Sequence, residues 1–185
     1  MPVSRGVGSV IFSILGILVV LITVFAVASL LGSDAPIRPI IHNGIALRSA
    51  DDPLVRARII TDLDDLILNT DNSDLKDQWD RMMQCLSTSC PDEAYLDLVL
   101  VTVASYENEL PESPLLINLI AVGKYWGDEE HLLEFSKALT MASDQVDELG
   151  SKNARKEWQQ IIDCNGSCPE KNDLLFNLID IIVSN

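Results

Sequence analysis

The sequence predicts an all-α protein in which one N-terminal transmembrane helix precedes a soluble domain of solenoid-like helical hairpins with two local disulfides. Three observations predict it: an uncharged apolar run near the N-terminus, helical apolar periodicity after it, and two cysteine pairs in matching contexts. We divide the chain into a cytoplasmic N-terminus (1–6), a transmembrane helix (7–31), a linker (32–52) and an acidic all-helical domain (53–185).

The N-terminal apolar segment is long enough to cross a bilayer. No ionisable side chain occurs between Gly6 and Ser33, and about 20 apolar residues rising ~1.5 Å each span a hydrocarbon core of ~30 Å. A signal-peptide core has only about 7–15 apolar residues, which favours a retained signal-anchor. Two processed forms stay open, namely cleavage at the A-x-A-like site Ala26–Ala28 and a pilin-like leader cut after Arg5-Gly6.

The soluble part is strongly acidic. The net charge of the chain is −15, and Arg5 is the one charged side chain in the first 33 residues. Negative charge is repelled by phosphate backbones and by anionic lipid, so the composition argues against nucleic-acid binding. Most of this negative charge is expected to lie on a solvated protein surface. The same charge would also favour a basic partner.

Helix-start and helix-stop signals divide the soluble part. Asp52-Pro53 is predicted to open a helix that ends near Asn69, and Pro36 and Pro39 indicate an irregular linker before it. The first predicted helix carries a broad apolar face that consists of Leu54, Ile59, Ile60, Leu63, Leu66 and Ile67.

The two cysteine pairs indicate an internal repeat over residues 76–105 and 155–184. In each copy a tryptophan lies six residues before the first cysteine, and the second cysteine is followed by proline and an acidic residue. Each copy is therefore predicted to be a helical hairpin with its cysteines at the corner. The residues expected to pack in the two repeats are Trp79, Met82, Met83, Trp158, Ile161 and Ile162.

We expect the cysteines to form two local disulfides, Cys85–Cys90 and Cys164–Cys168, each stabilising by about 2 kcal/mol on the loop-entropy argument. A single zinc site and free thiols are the alternatives, although structural zinc sites typically use C-x2-C spacing. Disulfides need an oxidising compartment. Because the flanking Lys and Arg are nearly balanced, the cysteines decide the orientation, with the N-terminus inside and the domain extracytoplasmic (periplasm, cell surface or intermembrane space).

Asn165-Gly166-Ser167 is a possible N-glycosylation triplet in the second cysteine loop.

A further segment, Gly127–Leu139, ends in Phe135-x-x-Ala138-Leu139 and resembles the second helix of a tetratricopeptide repeat. The resemblance covers about residues 114–139, and it implies stacked helical hairpins.

No motif of the sequence is typical of catalysis, because the two histidines, His42 and His131, show no pairing and the chain has no G-x-S-x-G, phosphate-binding glycine loop or H-E-x-x-H. We therefore expect no enzyme activity, cofactor or metal.

The sequence favours a membrane-anchored extracytoplasmic module that contacts the lipid bilayer through its anchor and binds an unidentified protein partner. The alternatives are an accessory or structural single-pass subunit of a larger membrane complex and, more remotely, a thiol-dependent or metal enzyme.

Alkylation followed by mass spectrometry tests the disulfides and the compartment together. We expect all four cysteines of native protein to resist alkylation until a reductant is added, because disulfides persist on the oxidising side of a membrane. Four free thiols in native material would contradict both disulfides and the predicted orientation.

Overall fold

The computed structural model describes residues 36–164 and 170–184, and within these ranges the regular structure is entirely helical. The all-α class predicted from the sequence is confirmed for these residues. The expected transmembrane helix at 7–31 lies outside them, and none of the described helices has the length and apolarity that a membrane span requires. The helices are α1 (Ile37–Ser49), α2 (Pro53–Leu68), α3 (Ser73–Leu86), α4 (Asp92–Ser105), α5 (Ser113–Tyr125), a 3-10 turn (Glu129–His131), α6 (Leu132–Glu148), α7 (Lys152–Asp163) and α8 (Lys171–Val183).

These helices pack in four successive layers of two: α2 with α3, α1 with α4, α8 with α5, and α7 with α6. The width of the apolar face decides which helices lie inside. The inner helices α4, α5 and α8 each bury six residues, whereas the outer helices α3 and α7 cover their neighbours with one narrow stripe.

Most of the linker expected at residues 32–52 is in fact helix α1, which is buried between α2, α4 and α8. Pro39 lies in the first turn of this helix, where the missing backbone N–H costs little. The apolar residues after it follow helical spacing and match a helix better than a linker. The buried side chains of α1 are Ile37, Ile40, Ile41 and Leu47.

The described domain closes on itself, since α1 also packs against α8. In a solenoid each repeat contacts only its neighbours along the chain. Here Arg38 Nη1 donates a hydrogen bond to the backbone oxygen of Val183, and Arg38 Nη2 lies 3.4 Å from Glu112 Oε2. The first described helix is thereby fixed to the last one.

The half formed by α1–α4 packs in the same way as the half formed by α5–α8. Every helix pair in contact within the first half has its counterpart in the second, and α4–α5 is matched by α8–α1. Asn72 and Ser151 occupy the same place as N-caps of α3 and α7, and accept hydrogen bonds from the backbone N–H of Leu75 and Ala154. Pairs that lie 79 positions apart and are buried in both halves include Leu63/Ala142, Ile67/Val146, Leu75/Ala154, Trp79/Trp158 and Met82/Ile161.

Two glycines allow the inner helices to approach closely, and they too lie 79 positions apart. A Cβ added at Gly123 would overlap Leu175 Cδ2 and lie 3.2 Å from Leu96 Cδ1. A Cβ at Gly44 would meet Leu98 Cδ2 at 3.2 Å. Gly123 is therefore the tighter of the two contacts.

The substitution Gly123→Ala is expected to lower the free energy of unfolding by about 1–3 kcal/mol, because overpacking displaces side chains that have no free space. Leu175 and Leu96 are 3% and 2% exposed, so neither moves freely. Gly44→Ala is the matched control, in which the gain in helix propensity of up to about 1 kcal/mol offsets a milder contact. Urea unfolding measures both variants. Equal stability of the two would contradict this account of the packing.

Candidate interaction surface

Three interhelical turns and the first turn of α8 lie at one end of the bundle, which we call the corner end. The turns are residues 50–52, 87–91 and 126–128. Lys171 at the start of α8 donates a hydrogen bond to the backbone oxygen of Trp126, with Nζ 3.4 Å from that oxygen. The opposite end contains Pro36, which lines one cleft together with Asn69, Thr70 and Tyr106.

Arg48, in the last turn of α1, joins three helices at the corner end. Its Nε donates to Asp92 Oδ1 at 2.6 Å, and its Nη2 lies 2.7 Å from Asp173 Oδ1. Asn172 Nδ2 donates to the Asp92 carboxylate at 2.6 Å. The guanidinium also lies 4.6 Å from the centroid of the Phe176 ring, in a cation–π contact. A single cation thus connects the start of α4 in one half with the start of α8 in the other.

The charges in this cluster stabilise one another. The hydrogen bond from Arg48 holds the pKa of Asp92 below its ordinary value, although partial burial opposes the shift. Burial lowers the pKa of Arg48, but its hydrogen bonds and ion pairs with Asp92 and Asp173 outweigh that effect and raise it. Both carboxylates also lie in the first turn of a helix, where the helix dipole favours negative charge.

A polar cleft of about 640 Å³ lies between this cluster and the first disulfide. Its charged groups include cations and carboxylates together, and Arg48 is already paired with two of the carboxylates. The lining is therefore suited to water and to small polar groups rather than to one strongly charged ligand. Residues that line it include Arg48, Arg56, Cys90, Asp92, Tyr95 and Asp173.

The first of the two predicted disulfides is confirmed. Cys85 and Cys90 are bonded, with their Cα atoms 4.9 Å apart, and they fix the turn between α3 and α4. Cys164 is also disulfide-bonded, while its expected partner Cys168 and the possible glycosylation site Asn165 lie outside the described residues. Within the described ranges, no group of three His, Cys, Asp or Glu side chains is placed to hold a metal ion.

The tryptophans of the two repeats lie in equivalent environments. Trp79 Nε1 donates to Asp64 Oδ1 at 2.9 Å, and Trp158 Nε1 donates to Ser143 Oγ at 3.0 Å. Both indoles are buried, at 1% and 6% exposure. The outer hairpins are α2 with α3 and α6 with α7. In each of them the tryptophan combines an apolar contact with one hydrogen bond that fixes the register of the two helices.

Two of the six expected packing residues are more exposed than the sequence suggested. Met82 and Ile161 are buried, but the next residues, Met83 and Ile162, are 40% and 38% exposed. Because α3 and α7 are outer helices, each is covered along one narrow face. A residue one position further is rotated by about 100° around the helix and leaves that face.

Exposed apolar side chains instead recur at the corner end. Leu54 and Val55, in the first turn of α2, are 82% and 50% exposed, and Leu132 and Leu133, in the first turn of α6, are 61% and 78% exposed. The prediction that Leu54 lies on the apolar face of its helix is therefore wrong. Leu54 and Leu133 each lie 25 residues before the tryptophan of their own half, so the exposure occurs at equivalent positions.

The turn that leads into α6 is held by several contacts. Gly127 adopts φ +81°, a conformation that a side chain would disfavour. Asp128 accepts a hydrogen bond from the backbone N–H of Glu130, and its carboxylate lies 2.7 Å from His131 Nδ1. That hydrogen bond with His131 is the main cause of the lowered pKa of Asp128. The His131 ring is stacked on Tyr125, with the ring centroids 4.9 Å apart.

Comparisons with protein-family models, with curated proteins and with solved structures gave no match. The function is therefore argued from the surface of the domain itself.

Replacing Asp92 by Asn tests the charged cluster. A carboxylate whose pKa is lowered in the folded protein stabilises the fold above its ordinary pKa of 3.8, and this stabilisation is lost as the pH falls through the lower folded value. At neutral pH we expect Asp92→Asn to lower the free energy of unfolding by about 1–2 kcal/mol. Urea unfolding measured from neutral to acidic pH should show this difference shrinking below pH 3.8.

Asp62→Asn is the matched control. Asp62 pairs with Arg58, whose side chain is 85% exposed, at 4.0 Å, and an exposed pair within one helix contributes roughly 0.3–0.5 kcal/mol. A loss for Asp92→Asn that stays constant down to strongly acidic pH would contradict the role assigned to the ionised carboxylate.

Proposed function

We propose that this protein is a membrane-anchored interaction module whose acidic helical domain lies on the extracytoplasmic side and binds a partner protein through the corner end. The observation that carries the proposal is the exposure of leucine at the same place in both halves, at Leu54 and Leu133. Isolated exposed apolar residues are common on protein surfaces. Here the exposure repeats at positions 79 residues apart, and the nearest pair that is buried in both halves, Leu63 and Ala142, lies nine residues further along each helix.

The exposed residues are unnecessary for the core. Leu63 and Ile67 of α2, like Ala142 and Val146 of α6, supply the buried face of each helix. Both leucines lie in the first turn, where side chains tilt towards the helix N-terminus and thus towards the corner end. Such side chains contribute little to folding and are available for contact with another molecule.

The anchor and the compartment complete the proposal. Residues 7–31 have the length and apolarity of a single span, and the Cys85–Cys90 disulfide favours an oxidising compartment. We assign Cys164–Cys168 as the equivalent bond of the second repeat. Pro36, at which the described domain begins, lies at the end opposite the corner end.

Copurification of the full-length protein from a mild detergent extract tests this function. We expect a partner that is recovered with the unmodified chain to be lost when Leu54 and Leu133 are both changed to Ser, with recovery falling roughly tenfold or more. Leu68→Ser is the matched control, since Leu68 is 55% exposed and lies at the other end of α2. Thermal unfolding of each variant checks that the fold is retained.

A different outcome would favour the accessory-subunit alternative. If the partner stays bound to the double variant but is lost when residues 7–31 are replaced by an unrelated apolar span, the association depends on the membrane segment. The interaction-module proposal would then be wrong.

A further inference from the structure

Resting on the proposed function, we infer that the first turn of α6 is a docking site for a partner segment that combines leucine-like apolar side chains with lysine or arginine. We call this surface the α6 patch. It consists of Leu132, Leu133 and Glu134 of α6, together with Glu129 and Glu130 of the 3-10 turn that precedes it.

The apolar part of the α6 patch consists of two adjacent exposed leucines. Leu132 and Leu133 are 61% and 78% exposed, so most of their area is open to a partner. The neighbouring aromatic groups are already used inside the domain, because Trp126 packs edge-on against Phe135 with ring centroids 5.6 Å apart. The leucines are therefore the apolar groups that remain for contact with another chain.

The charged part of the patch is acidic. Glu129, Glu130 and Glu134 are exposed, and among the described residues no ion pair involves any of them. Asp128 differs, since its carboxylate is bound by His131. Three unpaired carboxylates next to two leucines are complementary to a segment that carries both apolar and basic side chains.

The site is preorganised. The capping hydrogen bond of Asp128, the stacking of His131 on Tyr125 and the packing of Trp126 against Phe135 hold the turn before the patch is occupied. A surface that is already ordered loses little conformational entropy when a partner binds.

The equivalent surface on α2 lacks the same charge. Leu54 and Val55 are near Asp51 and Asp52 in sequence, but also near Arg56 and Arg58. Arg58 is paired with Asp62, and Arg56 offsets one of the two carboxylates, so this surface carries less unbalanced negative charge than the α6 patch and selects a basic partner less strongly. The α6 patch is therefore the one whose chemistry specifies its occupant.

Charge also argues against two other occupants. A second copy of the chain would bring together two molecules that each carry a net charge of −15, and their mutual repulsion opposes association. An anionic lipid surface is repelled for the same reason. A basic apolar segment of another protein remains the best match.

Fluorescence anisotropy with a labelled amphipathic helical peptide of leucine and lysine tests the α6 patch, using the full-length protein in neutral detergent micelles. We expect the peptide to bind, and Leu132→Ser with Leu133→Ser to weaken binding roughly tenfold or more. A variant in which all three glutamates are changed to Gln should also bind the peptide more weakly, and its affinity should depend less on salt concentration. The three residues are Glu129, Glu130 and Glu134. Leu68→Ser is the matched control and should bind like the unmodified protein.

Three results would overturn the inference. The first is equal affinity of the Leu132/Leu133 variant and the unmodified protein. The second is equal binding of a peptide in which glutamate replaces every lysine. The third is a dimer, seen by analytical ultracentrifugation, that the Leu132/Leu133 variant dissociates, because a second copy would then occupy the patch. If the native partner is lost from the Leu54/Leu133 variant while the basic peptide fails to bind, the proposed function stands and the partner chemistry is wrong.

Discussion

The ion cluster around Arg48 is a directional contact that joins the two halves at the corner end, where α1, α4 and α8 meet. One guanidinium binds Asp92 at the start of α4 and Asp173 at the start of α8, and these helices are equivalent members of their halves. Apolar packing alone is non-directional. The planar guanidinium adds direction, since its donors fix both helix starts relative to α1. The end of the bundle that presents the exposed leucines is therefore ordered by a polar contact.

The outer hairpins depend on the inner layers in a different way. Most polar residues of α3 and α7 face outwards, although Gln78 of α3 is buried, and each helix has a buried tryptophan that donates one hydrogen bond to the neighbouring helix. The disulfide at Cys85–Cys90 then fixes the turn that follows. Narrow apolar stripes leave most of the outer surface polar, which is consistent with the solubility that a strongly acidic composition favours.

The sequence predicted the helical class and one disulfide because both depend on local signals, such as the Asp52 cap and the matched cysteine context. It failed where the outcome depends on distant residues. Helix α1 was expected to be a linker because Pro36 and Pro39 dominate its start, yet α4 and α8 cover its apolar face. Leu54 was expected on the apolar face of its helix but is 82% exposed, and Arg48 could not be paired with Asp92 and Asp173 before the fold had brought the three together.

The contact between α1 and α8 has a consequence for the order in which the domain forms during synthesis. Arg38 and Val183, which are joined by a hydrogen bond, are separated by 145 positions. Helix α1 leaves the ribosome early, but one side of its apolar face has no partner until α8 has been made. A chain in this state exposes surface that favours aggregation. The nascent domain therefore depends on protection, or on rapid completion, for longer than an open repeat array in which each new hairpin covers the one before it.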